Sequence, residues 1–141
     1  MKLYLAGPMR GVPHFNFPLF NDMAARLRAG GHEVFNPAEK DIERHGGVDI
    51  SKDNYTGSLE QSAVQHKFSL RDALAEDLTF ITKQSDGIVM LPGWEGSKGA
   101  FAEWATACAL KAAYPDYQFF YILKAGDDYV ISTAQPLETA E

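Results

Sequence analysis

The sequence predicts a doubly wound α/β domain built on a parallel sheet of about five strands. Three observations carry that reading. Short apolar runs alternate with longer amphipathic stretches in the order β-α-β-α-β-α-β, which in one domain means parallel strands joined by helical crossovers. Two of those runs lead straight into glycine-rich turns that open helices: Ala6-Gly7-Pro8-Met9-Arg10-Gly11 and Pro92-Gly93-Trp94-Glu95-Gly96-Ser97-Lys98-Gly99. The chain of 141 residues, 45% hydrophobic and 23% charged, also has the size and composition of one domain with a single sizeable core.

The first strand is residues 2–6. A helix follows over 16–29, with Asn16 as its expected cap, Pro18 in its first turn and Leu19, Phe20, Met23 and Leu27 as its buried stripe. Gly30 and Gly31 stop it. Residues 32–36 read as a second strand, closed by Pro37. Residues 38–68 are polar, carry Gly46-Gly47 and have few apolar anchors. A structureless loop of that length is rare in a compact domain, so a short helix near 59–67 is expected, with a mobile lid before it. Ser69 then caps a helix to about Lys83, with Asp72 three residues into it. Residues 86–91 form a buried strand, 98–113 a helix and 118–123 another strand. The tail from Ala125 adds a short strand at Tyr129-Val130-Ile131. With helices on both faces, the arrangement is flavodoxin- or Rossmann-like, and the whole chain, 1–141, reads as one domain.

Composition narrows the partners. A net charge of −6 disfavours a nucleic-acid partner, which would repel the chain. A small anion remains compatible, because one arginine and a ring of backbone amides decide that locally. The single cysteine, Cys108, excludes an internal disulfide and fits a reducing, cytoplasmic setting. The apolar run at the start is short for a signal peptide, and nothing approaches a membrane span. His14, His32, His45 and His66 lack paired-ligand spacing, so no metal is expected. No cofactor is expected either.

The chemistry-bearing residues gather around the two glycine turns. A strand, a glycine turn and a helix start together make an anion cradle, with backbone N–H groups and the helix dipole facing the ligand. In an open parallel sheet both turns lie at the carboxyl ends of strands, where such folds bind ligands. Stepping about 100° per residue along the helix from Ser69, Asp77 falls inside the stripe of Leu70, Leu74, Leu78 and Ile81. A carboxylate there is costly unless paired or used; it caps a neighbouring loop, pairs with an arginine, or acts. Glu103 shares its column with Ala100, Ala107 and Leu110, and is either a solvent-facing residue of an Ala-rich helix or a carboxylate placed beside the cradle. Together the two suit a nucleophile and an acid, as in retaining glycoside chemistry.

These residues resemble the nucleoside 2-deoxyribosyltransferase superfamily. The likeness is to its 2'-deoxynucleoside 5'-phosphate N-hydrolase branch and to small phage and bacterial proteins with Ala-Gly-Pro-Met starts. It spans roughly residues 2–123, with 38–68 matching poorly, and rests on Tyr4, Gly7, Arg10 and Gly11, on Asp77-Leu78, and on Ser97, Gly99 and Glu103. The resemblance implies that Glu103 is the nucleophile at the anomeric carbon, that Asp77 manages the leaving base, and that Tyr4 orients Glu103. It implies that Arg10, Ser97 and the glycine backbone at Gly7, Gly11 and Gly99 hold a 5'-phosphate. Nucleoside transferases of this family usually carry an aspartate where this chain has Ser97, and phosphate-using hydrolases a serine. An aspartate would repel a phosphate dianion, whereas a hydroxyl and Arg10 would bind it. Pro8, Trp94 and Lys98 depart from the family pattern, and base preference does not carry over.

The expected activity is therefore cleavage of the N-glycosidic bond of (deoxy)ribonucleoside 5'-monophosphates. Transfer of deoxyribose between bases is the close alternative, and a non-catalytic nucleotide sensor is an alternative of another class. Phosphoribohydrolases with a Pro-Gly-Gly-x-Gly-Thr loop fit the spacing poorly. The order Gly-Ser-Lys is also wrong for the phosphate loop of nucleoside triphosphatases. Trp94 is either a base-stacking residue or a packing anchor, and Phe15 and Phe17 either wall a base pocket or staple the first helix. A homodimer is expected, partly from the resemblance and partly because Tyr114, Tyr117, Phe119, Phe120 and Tyr121 crowd the last helix and strand. Period-two alternation under two helix layers would absorb most of them.

Overall fold

Five consecutive residues, Lys2–Ala6, form β1, and four of them (Leu3, Tyr4, Leu5 and Ala6) are almost wholly buried. A strand apolar on both faces belongs in the middle of a doubly covered sheet. In this computed structural model, which describes residues 1–135, it lies there. The other strands are β2 (Glu33–Phe35), β3 (Gly87–Met90), β4 (Gln118–Ala125) and β5 (Asp128–Ser132), in the spatial order β2-β1-β3-β4-β5. The first four are parallel, and β5 returns antiparallel along β4. Only Gly126 and Asp127 separate β4 from β5, room for a hairpin and not for a crossover. The fold is a five-stranded, mostly parallel, Rossmann-like sheet flanked by helices.

Alternation along β1 divides the core in two. Leu3 and Leu5 join Val89, Leu91 and Ile122 under α1 (Phe17–Ala29), whose Phe20, Met23, Ala24 and Leu27 are buried. Tyr4 and Ala6 join Ile88, Met90 and Tyr121 on the other face, under α4 (Leu70–Lys83) and α5 (Lys98–Ala113). The same alternation absorbs the aromatic run. Phe119 and Tyr121 pack with the second core and Phe120 with the first, and Tyr117 is buried with its hydroxyl 2.8 Å from Ser85 Oγ. Of that group Tyr114 alone stays largely exposed, at 65%. Among the described residues no helix is long and apolar enough to cross a membrane.

Helix starts follow the expected caps with one exception. Ser69 Oγ accepts from Asp72 N at 3.2 Å, and Ser97 Oγ from Ala100 N at 3.3 Å. Asn16 stands at the start of α1 but does not cap it. Its backbone is left-handed (φ 61), and its Nδ2 donates to Pro8 O at 3.0 Å, tying the helix entry to the first glycine turn.

The polar segment 38–68 is the main surprise. The expected short helix is α3 (Leu59–His66), but a further helix, α2 (Pro37–Arg44), precedes it. Asn36 caps α2, accepting from Ala38 N at 3.0 Å, and Pro37 occupies the first turn, where a missing N–H costs nothing. Pro37 thus closes the strand and opens a helix at once. The stretch where a lid was expected is stitched to the first glycine turn. Gly11 N donates to Gly57 O at 2.9 Å and His14 N to Asn54 O at 2.7 Å, while Asn54 is buried and bonded to both N and O of Ser58. Gly57 makes this approach possible. Its φ is +67, and a Cβ there would meet Val12 O at 2.3 Å.

Candidate active site

The carboxyl end of β1, the turn that follows β3, the inner faces of α4 and α5, and the 37–70 segment line a pocket of about 540 Å³, within the range of small-molecule sites. Tyr4 reaches it from β1. Its ring is wholly buried, 5.4 Å from that of Phe35, and its hydroxyl donates a short hydrogen bond to Glu103 Oε2. Glu103 lies in the second turn of α5, on the same column as the buried Ala100 and Ala107. The solvent-facing alternative is excluded, because Glu103 is only 6% exposed. Asp77 sits one turn from both Ala73 and Ile81 on the buried face of α4, 8% exposed, and its Oδ1 has no hydrogen-bond partner. The apolar-stripe argument therefore placed Asp77 correctly, and the arginine pairing offered for it belongs to another residue.

That residue is Asp41, which the sequence reading missed. It lies on α2, 4% exposed, in the wall of the same pocket. Arg44 Nη2 pairs with Asp41 Oδ1, and Arg44 Nη1 reaches Glu76 Oε1 at 2.8 Å. Its signal was the one that exposed Asp77, a carboxylate on an otherwise apolar face (Pro37, Ala38, Asp41), but it could be read only once 37–44 was recognised as a helix.

Burial dominates the electrostatics. It raises the Glu103 carboxyl to about 8, with repulsion from Asp77 adding, the Tyr4 hydrogen bond opposing, and Asp41 adding further. Burial raises Asp77 to about 7, with Asp41 and Glu76 adding and Arg44 and Tyr4 opposing. Asp41 rises to about 7, again through burial, against the pull of Arg44. The Tyr4 hydroxyl is pushed well above its ordinary range by burial and by the Glu103 and Asp77 charges. Near neutral pH this cluster retains protons that exposed carboxyls would have lost.

The other end of the pocket is basic and rich in backbone amides. Gly7, Arg10, Ser97, Lys98 and Gly99 line it. Arg10 is exposed and has no ion-pair partner among the described residues. Ser97 Oγ accepts the Ala100 amide, leaving its own proton to donate, and the first amides of α5 have no intrahelical acceptor. Gly7 is required by packing as well, since a Cβ there would lie 2.7 Å from Leu91 Cβ. Gly11 stands apart from the expected set. It is not in the pocket wall, its amide is committed to Gly57 O, and its φ of +81 serves the turn. Trp94 is a packing anchor, 3% exposed and 5.2 Å from the Trp104 ring. Phe15 lines the pocket and stacks with Phe68 at 6.4 Å, whereas Phe17 is core.

Fold and site together define a Rossmann-like α/β protein with a cluster of buried carboxylates facing a basic, amide-lined cradle. The chain belongs to the family described as Domain of unknown function (DUF4406), whose model matches residues 1–114. That span runs from β1 through α5 and contains every site residue named above. None of the curated proteins and none of the solved structures compared with the chain matches it.

Proposed function

We propose that the chain is a nucleotide N-glycosidase of the nucleoside 2-deoxyribosyltransferase superfamily, cleaving (deoxy)ribonucleoside 5'-monophosphates through a glycosyl ester on Glu103. The observation that carries this reading is a buried Glu103, oriented by the Tyr4 hydroxyl, in one pocket with Asp77 and the Arg10–Ser97 cradle. A surface glutamate needs no such tether, and a carboxylate held out of water is costly unless used.

The phosphate would occupy the cradle, held by Arg10, Lys98, the Ser97 hydroxyl and the amides at the start of α5. This places the sugar over Glu103 and the base toward Asp77. The resting cluster holds its proton on Glu103 before Asp77, so the reacting form arises when Glu103 gives up its proton and Asp77 holds one: Glu103 is then ionised, stabilised by the Tyr4 hydrogen bond, and Asp77 is protonated. Its Oδ1 lacks any protein donor to stabilise a charge. A Glu103 oxygen bonds to C1', the C1'–N bond breaks, and its electron pair leaves with the base, which takes the Asp77 proton. Water then attacks C1' and gives up a proton to the Asp77 carboxylate, the bond from C1' to the Glu103 oxygen breaks with its electron pair returning to Glu103, and the sugar phosphate leaves.

The test is incubation with a panel of nucleosides and 5'-monophosphates, with and without an added second base, followed by chromatography. Free base from monophosphates, absent in Glu103→Gln, supports the reading. Exchange into the added base with little free base assigns transfer instead. Binding without either product leaves a nucleotide sensor.

A further inference from the structure

Asp41 has no part in the reaction just described, yet it is a buried carboxylate in the wall of the same pocket. We infer that Asp41 is a specificity-determining residue that selects nucleotides of 6-aminopurines over 6-oxopurines by accepting the exocyclic N–H. The inference rests on the pocket taking a nucleotide with its base toward Asp77.

Three features of the geometry carry it. First, Asp41 is fixed: its Oδ1 takes the Arg44 guanidinium, which Glu76 holds from α4, while its Oδ2 has no partner among the described residues. Second, Asp41 stands beside Asp77 in the pocket wall: both line the pocket, and Arg44 ties α2 to α4 by pairing Asp41 with Glu76, the residue before Asp77. With the base toward Asp77, both aspartates lie on the base side. Third, the surrounding wall is apolar, with Ile50, Leu59 and Phe68 supplying no side-chain donor.

An adjacent proton donor and acceptor match the N7 and 6-amino positions of a 6-aminopurine. Asp77, when protonated, donates to N7, a contact that every purine offers, and ionised Asp41 accepts from the amino group through Oδ2, the contact that discriminates. A 6-oxopurine sets a carbonyl oxygen against a carboxylate at that point, two acceptors with no proton between them.

Titration of wild type by calorimetry with the 5'-monophosphates of deoxyadenosine, deoxyinosine and unsubstituted purine deoxyriboside reads this directly. The 6-amino nucleotide is expected to bind at least about tenfold more tightly than either other, the scale of one hydrogen bond to a charged group. Asp41→Asn, whose amide also donates, is expected to bring the amino and oxo forms within about threefold of each other.

A second measurement uses no variant. Asp41 is faced by Arg44 on its own helix and by Glu76 on α4, His45 Nδ1 lies against its backbone oxygen, and Asp77, Tyr4 and Glu103 share the pocket wall with it. Burial holds its carboxyl near 7 against Arg44, and a protonated Asp41 donates to a carbonyl. Amino-over-oxo selectivity in wild type should therefore shrink as the pH falls from 8.5 to 5.5.

Equal binding of the three nucleotides at pH 8.5, binding of none of them, unchanged selectivity across the pH range, or intact selectivity in a folded Asp41→Asn would each overturn the inference. Selective binding without base release keeps Asp41 in this role and removes the glycosidase. Base release with no amino preference does the reverse.

Discussion

Replacing Glu103 by Gln is expected to stabilise the folded chain at neutral pH, and to do so less as the pH falls. Burial lifts this carboxyl from 4.5 to about 8. At pH 7 the folded state therefore keeps a proton that the unfolded chain has released. A folded pKa above the unfolded one means that stability falls as pH rises between the two, so the cost grows from pH 4.5 toward 8. At about 1.36 kcal/mol per unit, holding that proton costs about 3 kcal/mol at pH 7 and under about 1 kcal/mol at pH 5. A glutamine escapes this cost, and its amide oxygen still accepts from the Tyr4 hydroxyl. Urea unfolding followed by circular dichroism at both pH values measures the difference. Glu103→Gln should exceed wild type by about 2–3 kcal/mol at pH 7 and by less than about 1 kcal/mol at pH 5. The same difference at both pH values, or a variant weaker than wild type at pH 7, would refute the reasoning. It would mean that Glu103 is ionised in the resting fold and that the cluster does not hold its proton.

Four further outcomes follow from the site. Glu103→Ala should abolish base release, and a 2-fluorinated substrate analogue should label Glu103 by mass spectrometry; undiminished turnover in the variant ends the covalent mechanism. Arg10→Ala should weaken monophosphate use by roughly one to two decades, the loss of one charge-assisted contact of about 1.5–3 kcal/mol, while sparing the unphosphorylated nucleoside, and Ser97→Asp should shift preference toward the nucleoside. Equal loss on both substrates in Arg10→Ala would make that residue structural. Tyr4→Phe removes a hydrogen bond that lowers the Glu103 pKa, so the acid limb of the rate profile should move to higher pH; an unmoved limb separates Tyr4 from the ionisation of Glu103. A homodimer is expected in solution, with Phe101, 48% exposed beside the Trp94–Trp104 rings, and Tyr114 in its contact; a light-scattering mass near 15.6 kDa, one chain, would refute it.

The parts of the molecule legible in the sequence are those where one physical signal dominates. Strands buried on both faces announce themselves as unbroken apolar runs, so β1, β3 and β4 were found to within a residue or two of their ends. Asp77 was legible for the converse reason: on a fourteen-residue helix with a clear apolar stripe, a carboxylate in the stripe stands out. Where two signals compete at one residue, the sequence misleads. Asn16 has the chemistry of a helix cap, but its side chain is spent on Pro8, and the left-handed run His14, Phe15 and Asn16 has no glycine to mark it. Pro37 reads as the end of a strand and is equally the first turn of a helix.

That single ambiguity hid the Asp41 side of the pocket. α2 is eight residues long and mostly polar, too short for periodicity to separate it from a loop. Its stability comes from Ala38 and Ile42 packed on the first core, from the Asn36 cap, and from the ion pairs that Arg44 makes to Asp41 and Glu76, one within the helix and one to a helix distant in sequence. The second is invisible until the chain is folded. A segment held by polar links of this kind tolerates change at its surface more readily than a hydrophobic core does, because each link involves few residues. The site is then built from two kinds of material. The Tyr4–Glu103–Asp77 group hangs on the sheet and its long helices, and the Asp41 side hangs on a short, mostly polar helix that meets the first core only through Ala38 and Ile42. Chemistry fixed by the first and choice of base set by the second would let one scaffold keep its reaction while its substrate changes. Substitutions along α2 should accordingly alter which base is taken before they alter the rate at which a good substrate is cleaved, and substitutions at Tyr4 or Glu103 should do the opposite.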